Sequence, residues 1–197
     1  MEIKKTKKLD WKPGTLLNPV PVIMVSCVCE GEKPNIITLA WAGTINSNPP
    51  MLSISIRKER HSHKMISASG EFAANLVTKE LLWAADYCGV KSGRDIDKFK
   101  EMKLTPVDSL EIGAPYIMES PVSLECKVTQ IIELGTHDLF LAEIVSVHVD
   151  EDYVDEEGAL HLDKVGLVCY NHGKYQEVGN TLGYYGYSVR KKKSKKD

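Results

Sequence analysis

Hydrophobic and polar positions alternate most cleanly from Met51 to Arg57, where Leu52, Ile54 and Ile56 oppose Met51, Ser53, Ser55 and Arg57. A period of two with one polar face predicts a half-buried β-strand. Upstream, Val20–Cys29 is a nearly continuous, β-branched apolar run that stops at Glu30-Gly31-Glu32-Lys33-Pro34. Apolar character resumes over Asn35–Trp41, so turn residues between two such runs predict a hairpin. A breaker at Asn46-Ser47-Asn48-Pro49-Pro50 separates this hairpin from the alternating strand, with a loop dense in Gly, Thr and Asn before it. Ser62–Ser69 reads as a short helix with Ser62 at its N-cap, and Glu71–Val77 as a strand. Leu81, Leu82, Ala84, Ala85 and Cys88 give Lys79–Cys88 a helical character that Gly89 ends. Residues 90–120 are irregular apart from a helical turn at 95–100. Val122–Leu134 and Asp138–Val149 are long β runs joined at Gly135-Thr136-His137, and a last β segment near Val165–Tyr170 leads into Gly- and Tyr-rich coil. Many strands, few helices and regular turns predict a mainly β fold, an antiparallel barrel rather than a βαβ sheet.

Length and composition fit one ordinary globular domain. No apolar run reaches the ~20 residues needed to cross a bilayer. The basic N-terminus has no apolar stretch behind it, unlike a signal peptide. Five cysteines, an odd number set mostly in apolar segments, predict free thiols and a cytoplasmic setting rather than a secreted disulfide scaffold. The net charge of −2 is uneven, because the last eight residues carry six basic groups. With no basic stripe or nucleic-acid motif elsewhere, 190–197 is expected to be a disordered basic tail, and residues 1–189 a single domain. Neither a nucleic-acid nor a membrane partner is expected.

The Gly-rich dinucleotide fingerprint, the P-loop, the nucleophile elbow and the zincin motif are all missing. His61 and His63 lack a third partner at metal-ligand spacing, so no metal site is expected, and no catalytic residue is assigned. Two segments do suit a ligand. In Arg57-Lys-Glu-Arg-His61-Ser62-His63-Lys64 a polar-faced strand runs into a helix start, where backbone amides, a hydroxyl and cations would suit a phosphate. Read from the residues alone, it is either that or a capped surface helix with solvated charges. In the Asn35–Pro50 segment, Trp41 and small residues would let a flat heterocycle approach the backbone. The alternative is a core Trp followed by an ordinary turn.

Taken together and in order, several short blocks resemble the flavin reductase-like FMN-binding family, and within it the flavoredoxin type. They are Pro21-Val-Ile-Met-Val, Asn35-x-x-Thr38-x-Ala40-Trp41, Asn48-Pro-Pro-Met51, Arg57…His61-Ser62, Glu71-Phe-Ala-Ala-Asn75, Asp97-Lys98-Phe99 and Gly135-Thr-His137-Asp-Leu-Phe-Leu-Ala-Glu143. The resemblance spans roughly residues 15–185. It implies an FMN-binding split β-barrel of antiparallel Greek-key type, a homodimer, and FMN near the subunit interface. Carried over by position, it implies FMN contacts from Asn35, Trp41, Ser62 (in place of a family Thr), Lys98, His137 and Tyr170 (in place of Phe). Arg57 joins them on charge and location. Lys98 and His137 become candidates for a cation near the pyrimidine end of the flavin. The implied function is an FMN-dependent oxidoreductase or electron-transfer flavoprotein fed by NAD(P)H or a redox protein. A non-catalytic FMN-binding carrier or sensor is the alternative.

Overall fold

A computed structural model describes residues 5–190. In chain order the strands are β1 (Val20–Pro21), β2 (Ile23–Cys27), β3 (Asn35–Leu39), β4 (Ala42–Ser47), β5 (Pro50–Arg57), β6 (Glu71–Leu76), β7 (Pro106–Val107), β8 (Tyr116–Ile117), β9 (Val122–Glu133), β10 (His137–Val149), β11 (Val168–Asn171) and β12 (Lys174–Glu177). The helices are α1 (His61–Ser69), α2 (Leu82–Val90) and α3 (Lys98–Met102). Seven strands form one antiparallel sheet in the order β3-β2-β6-β9-β10-β5-β4, and β1, β11 and β12 form a smaller one. The two edges of the large sheet, β3 and β4, are consecutive in the chain and joined only through Ala40 and Trp41. The sheet curls back on itself there, and the amide of Ser55 donates to the Trp41 carbonyl at 2.9 Å. This is the open seam of a split barrel.

The long apolar run at the N-terminal end has a two-sided explanation. Ile23, Val25 and Cys27 of β2 point into the barrel with Ile54, Ile56, Phe72 and Phe140, where Met65 and Ile66 of α1 plug one end. Val22 and Met24 point outward, beneath Ala85 and Cys88 of α2 and Phe99 of α3. A strand buried on both faces has no polar face to alternate with. β5 covers the core on one side only and keeps its alternation.

Four local expectations are corrected. The loop expected before Asn46 is strand β4, whose Gly, Thr and Asn residues are exposed and pair only with β5. The coil expected after Tyr170 holds β12, paired to β11 around His172 and Gly173, both at positive φ. Gly89 lies inside α2, which ends at Val90 with Lys91 as its C-cap. A Cβ on Gly89 would stand 3.3 Å from Thr38 Cβ, so the missing side chain lets α2 lie close on β3, and Thr38 donates a hydrogen bond to the Ala85 carbonyl at 2.5 Å. Ser62 is no N-cap: Arg60 holds that place without a side-chain cap, and Ser62 is buried in the first turn.

None of the five cysteines is paired. Burial pushes the Cys27 thiol up to about 12 and that of Cys88 to about 11, which keeps both protonated at neutral pH. No helix among the described residues is long and apolar enough to cross a membrane. Of the expected tail, 191–197 lies outside the described residues.

Candidate functional site

The structure gathers six of the seven candidate residues into two cavities rather than one, and both draw on β3. At its start, a cavity of about 290 Å³ is lined by Asn35, Ser62 and Lys98. Arg60, His61, Lys91 and Arg94 surround them, with Ser92 and Gly93 closing one side. Past the other end of β3, a cavity of about 540 Å³ is lined by Trp41, His137 and Tyr170, with Thr38, Ala40 and Ser55. Arg57 lines neither cavity. It is paired with His137 across β5 and β10, but its guanidinium is half exposed and lies 3.5 Å from Glu59.

The first cavity is predominantly basic, with Arg60, Lys91, Arg94 and Lys98 in its lining against Glu59. Asn35 Nδ2 donates to Ser62 Oγ at 2.8 Å, tying the start of β3 to the first turn of α1. A lysine at a helix start would ordinarily be solvated, yet Lys98 is buried. Asp97 caps α3 through the Lys100 amide, and Lys98 is thereby turned inward. Its ammonium donates to the Ile36 carbonyl at 2.6 Å and the Cys88 carbonyl at 2.7 Å. Both acceptors need it. Ile36 lies on the edge strand β3, and Cys88 is among the last carbonyls of α2, which have no partner within the helix. An ammonium has three donors, so one N–H remains for the cavity. Burial lowers the Lys98 pKa to about 8, with nearby Cys88 and Cys27 opposing the shift and Arg60 adding to it. Gly93 shapes the wall, since a Cβ there would fall 2.1 Å from Asn35 Oδ1.

The second cavity is an aromatic trough. Trp41 is 45 % exposed, an unusual position for an indole, and its ring lies 4.7 Å from that of His137 at 41°. Burial, and then the charge of Arg57, lower the pKa of His137, which favours its neutral form. Tyr170 meets Tyr175 edge-on across β11 and β12. Lys98 is not part of this trough, so of the two cations proposed for the pyrimidine end only His137 lies beside the aromatic wall.

Sequence reasoning overlooked the Lys91-Ser92-Gly93-Arg94 loop. Two cations flanking Ser-Gly were the available signal, but the loop reaches the site only because α2 and α3 fold it back over Asn35. Arg60 and His61 stood within a segment singled out for phosphate, without being assigned individually.

A family model described as flavin reductase like domain matches residues 16–179. Among solved structures, the flavoredoxin of Desulfovibrio vulgaris (Miyazaki F) is 32% identical with a TM-score of 0.87, covering 93% of this chain and 100% of that one. The flavoredoxin from Methanosarcina acetivorans is 27% identical with a TM-score of 0.84, covering 94% and 100%. The high molecular weight rubredoxin of Moorella thermoacetica is 32% identical over 109 residues, which are 53% of this chain and 45% of that protein. With a split barrel, a basic cavity and an aromatic trough sharing one strand, and a family match over most of its length, the chain belongs to the flavin reductase like family.

Proposed function

We propose that the chain is an FMN-binding electron-transfer oxidoreductase, with the phosphate of FMN in the basic cavity and its ring system in the aromatic trough. What carries this reading is the pairing of the two cavities along β3: cations and a helix start at one end, an exposed Trp with small neighbours at the other. The donor chemistry fits a phosphate ester, since Arg60, Lys91, Arg94 and Lys98 outnumber the single acid, Glu59, in the cavity lining. Bound FMN would supply the redox chemistry, receiving electrons from NAD(P)H or a redox protein and passing them to an acceptor.

The protein's own part is binding, orientation and electrostatics. Asn35 and Ser62 form the floor of the phosphate cavity, and Lys98 brings a fixed charge to it. Trp41 and Tyr170 wall the ring system, and His137 offers a ring nitrogen at its edge. On this reading residues 1–189 are one FMN-binding domain, 190–197 is an appended basic tail, and the chain works in the cytoplasm. A homodimer accounts for the apolar side chains left exposed along both arms of the described chain, Trp11 and Leu17 on one and Leu182 and Tyr185 on the other.

The direct test is a visible spectrum of protein loaded with FMN and desalted, then mixed with NADH or NADPH without oxygen. Retained flavin that bleaches supports the reductase reading. Retained flavin that stays oxidised favours the carrier reading with a protein donor. Protein that emerges colourless refutes both.

The Lys98 ammonium also predicts a pH dependence. Charged Lys98 attracts the phosphate dianion, so its contribution is complete below about 8 and is lost as pH rises through and above that value. Flavin fluorescence titrations above pH 8 are expected to show affinity falling by up to about tenfold per pH unit. A flat profile to pH 10 would remove Lys98 from the binding site.

A further inference from the structure

Ser62 and His137, one from each cavity, are each followed in the chain by a residue that touches the other's neighbour. His63 Nε2 lies 2.8 Å from Asp138 Oδ2. His63 is on the first turn of α1 beside Ser62, and Asp138 is on β10 beside His137. Asp138 is nearly buried although β10 is a central strand of the sheet, paired at that position to Ile56 on one side and Glu133 on the other. Its second oxygen is 3.3 Å from the Lys58 ammonium, which also bonds Glu133 at 2.7 Å. The His63 ring stands edge-on to Phe140 at 5.3 Å, so packing fixes its orientation.

A hydrogen-bonded polar pair beside an apolar core is weak evidence for stability, because desolvation offsets most of the attraction. What such a pair supplies is a fixed geometry. Here it joins the helix turn carrying the phosphate floor to the strand end carrying the trough histidine.

Building on the proposed FMN site, we infer that His63 and Asp138 are positioning residues, forming a strut that sets the spacing between the phosphate cavity and the aromatic trough. A ligand that fills both cavities gains from their fixed separation, because its second contact is made within one molecule. A ligand that fills only one gains nothing from it. The strut is therefore a determinant of preference for a phosphorylated flavin over a plain one.

Affinities for FMN, riboflavin and inorganic phosphate, measured on the wild type, Asp138→Ala, His63→Ala and the double variant, test this. In the single variants FMN is expected to bind about tenfold more weakly, the size of one ordinary coupled contact, while riboflavin and phosphate change by less than about twofold. The double variant is expected to lose no more than either single one. Asp138→Asn keeps an oxygen acceptor of the same shape, should fold where the alanine variants do not, and should recover part of the FMN preference. Equal weakening of FMN and riboflavin in these variants, or no change in their ratio, overturns the strut while leaving the site intact. A wild type that binds no FMN overturns the site itself, and the strut with it.

Discussion

Gly93→Ala should leave a folded protein that no longer keeps FMN through desalting. The added Cβ would lie 2.1 Å from Oδ1 and 2.5 Å from Cγ of Asn35, far inside contact distance. An amide at the end of a side chain can usually swing aside, but Asn35 is 4% exposed and its Nδ2 is held by Ser62 at 2.8 Å. Moving it breaks that bond and leaves buried polar groups unpaired, at about 1–3 kcal/mol. The displaced side chain also fills the cavity that Gly93 leaves open. A loss of affinity of about a hundredfold, with a modest drop in melting temperature, is the expected result. Fluorescence titration beside a thermal melt checks both. Unaltered FMN binding would mean that the Asn35 cavity is not the phosphate site.

Lys98→Met should weaken both the fold and FMN binding. Methionine matches the stem of lysine but not its donors, so the Ile36 and Cys88 carbonyls lose their partners. Two unmet carbonyls cost about 1–3 kcal/mol each. Removing the buried charge returns part of this, because a pKa lowered to about 8 means that the folded state disfavours the ammonium. A net destabilisation of about 1–3 kcal/mol at pH 7 is expected by urea denaturation. The sign of the offset is testable. Between pH 8 and the ordinary lysine value near 10.5 the unfolded chain holds more protons than the folded one, so wild-type stability should rise with pH there. The variant should lack that rise. FMN affinity should fall about a hundredfold with the loss of a charge-assisted contact, and a variant that binds as tightly as the wild type would make Lys98 purely structural.

The fold was legible wherever one physical signal dominated. Alternation marked β5, turn residues marked the β2–β3 hairpin, and β9–β10 were marked by length. Legibility failed where tertiary pairing overrode local chemistry. Ala42–Ser47 carries Gly, Thr and Asn because β4 is an exposed edge that reaches the core only through Ala42, so its sequence looks like a loop. Gly89 looks like a helix stop because its true reason, the closeness of Thr38, lies 51 residues away in the chain. In the site, Trp41 was singled out by its small neighbours and His137 and Tyr170 through family resemblance, and the structure adds that all three line one cavity. The division of six of the seven candidates between two cavities was not readable, and neither was the burial of Lys98. Both depend on how α2 and α3 close over β3.

The seam of the barrel has a consequence for how the protein is assembled. β3 and β4 are joined through Ala40 and Trp41 but sit at the two ends of a seven-stranded order, so the sheet closes only once β2, β6, β9, β10 and β5 lie between them. The aromatic trough draws on residues from Thr15 to Gly173, so it is complete only when this circuit closes. A ligand seated in the trough binds the closed barrel and draws the folding equilibrium toward it, by about 2.7 kcal/mol at a hundred times its dissociation constant.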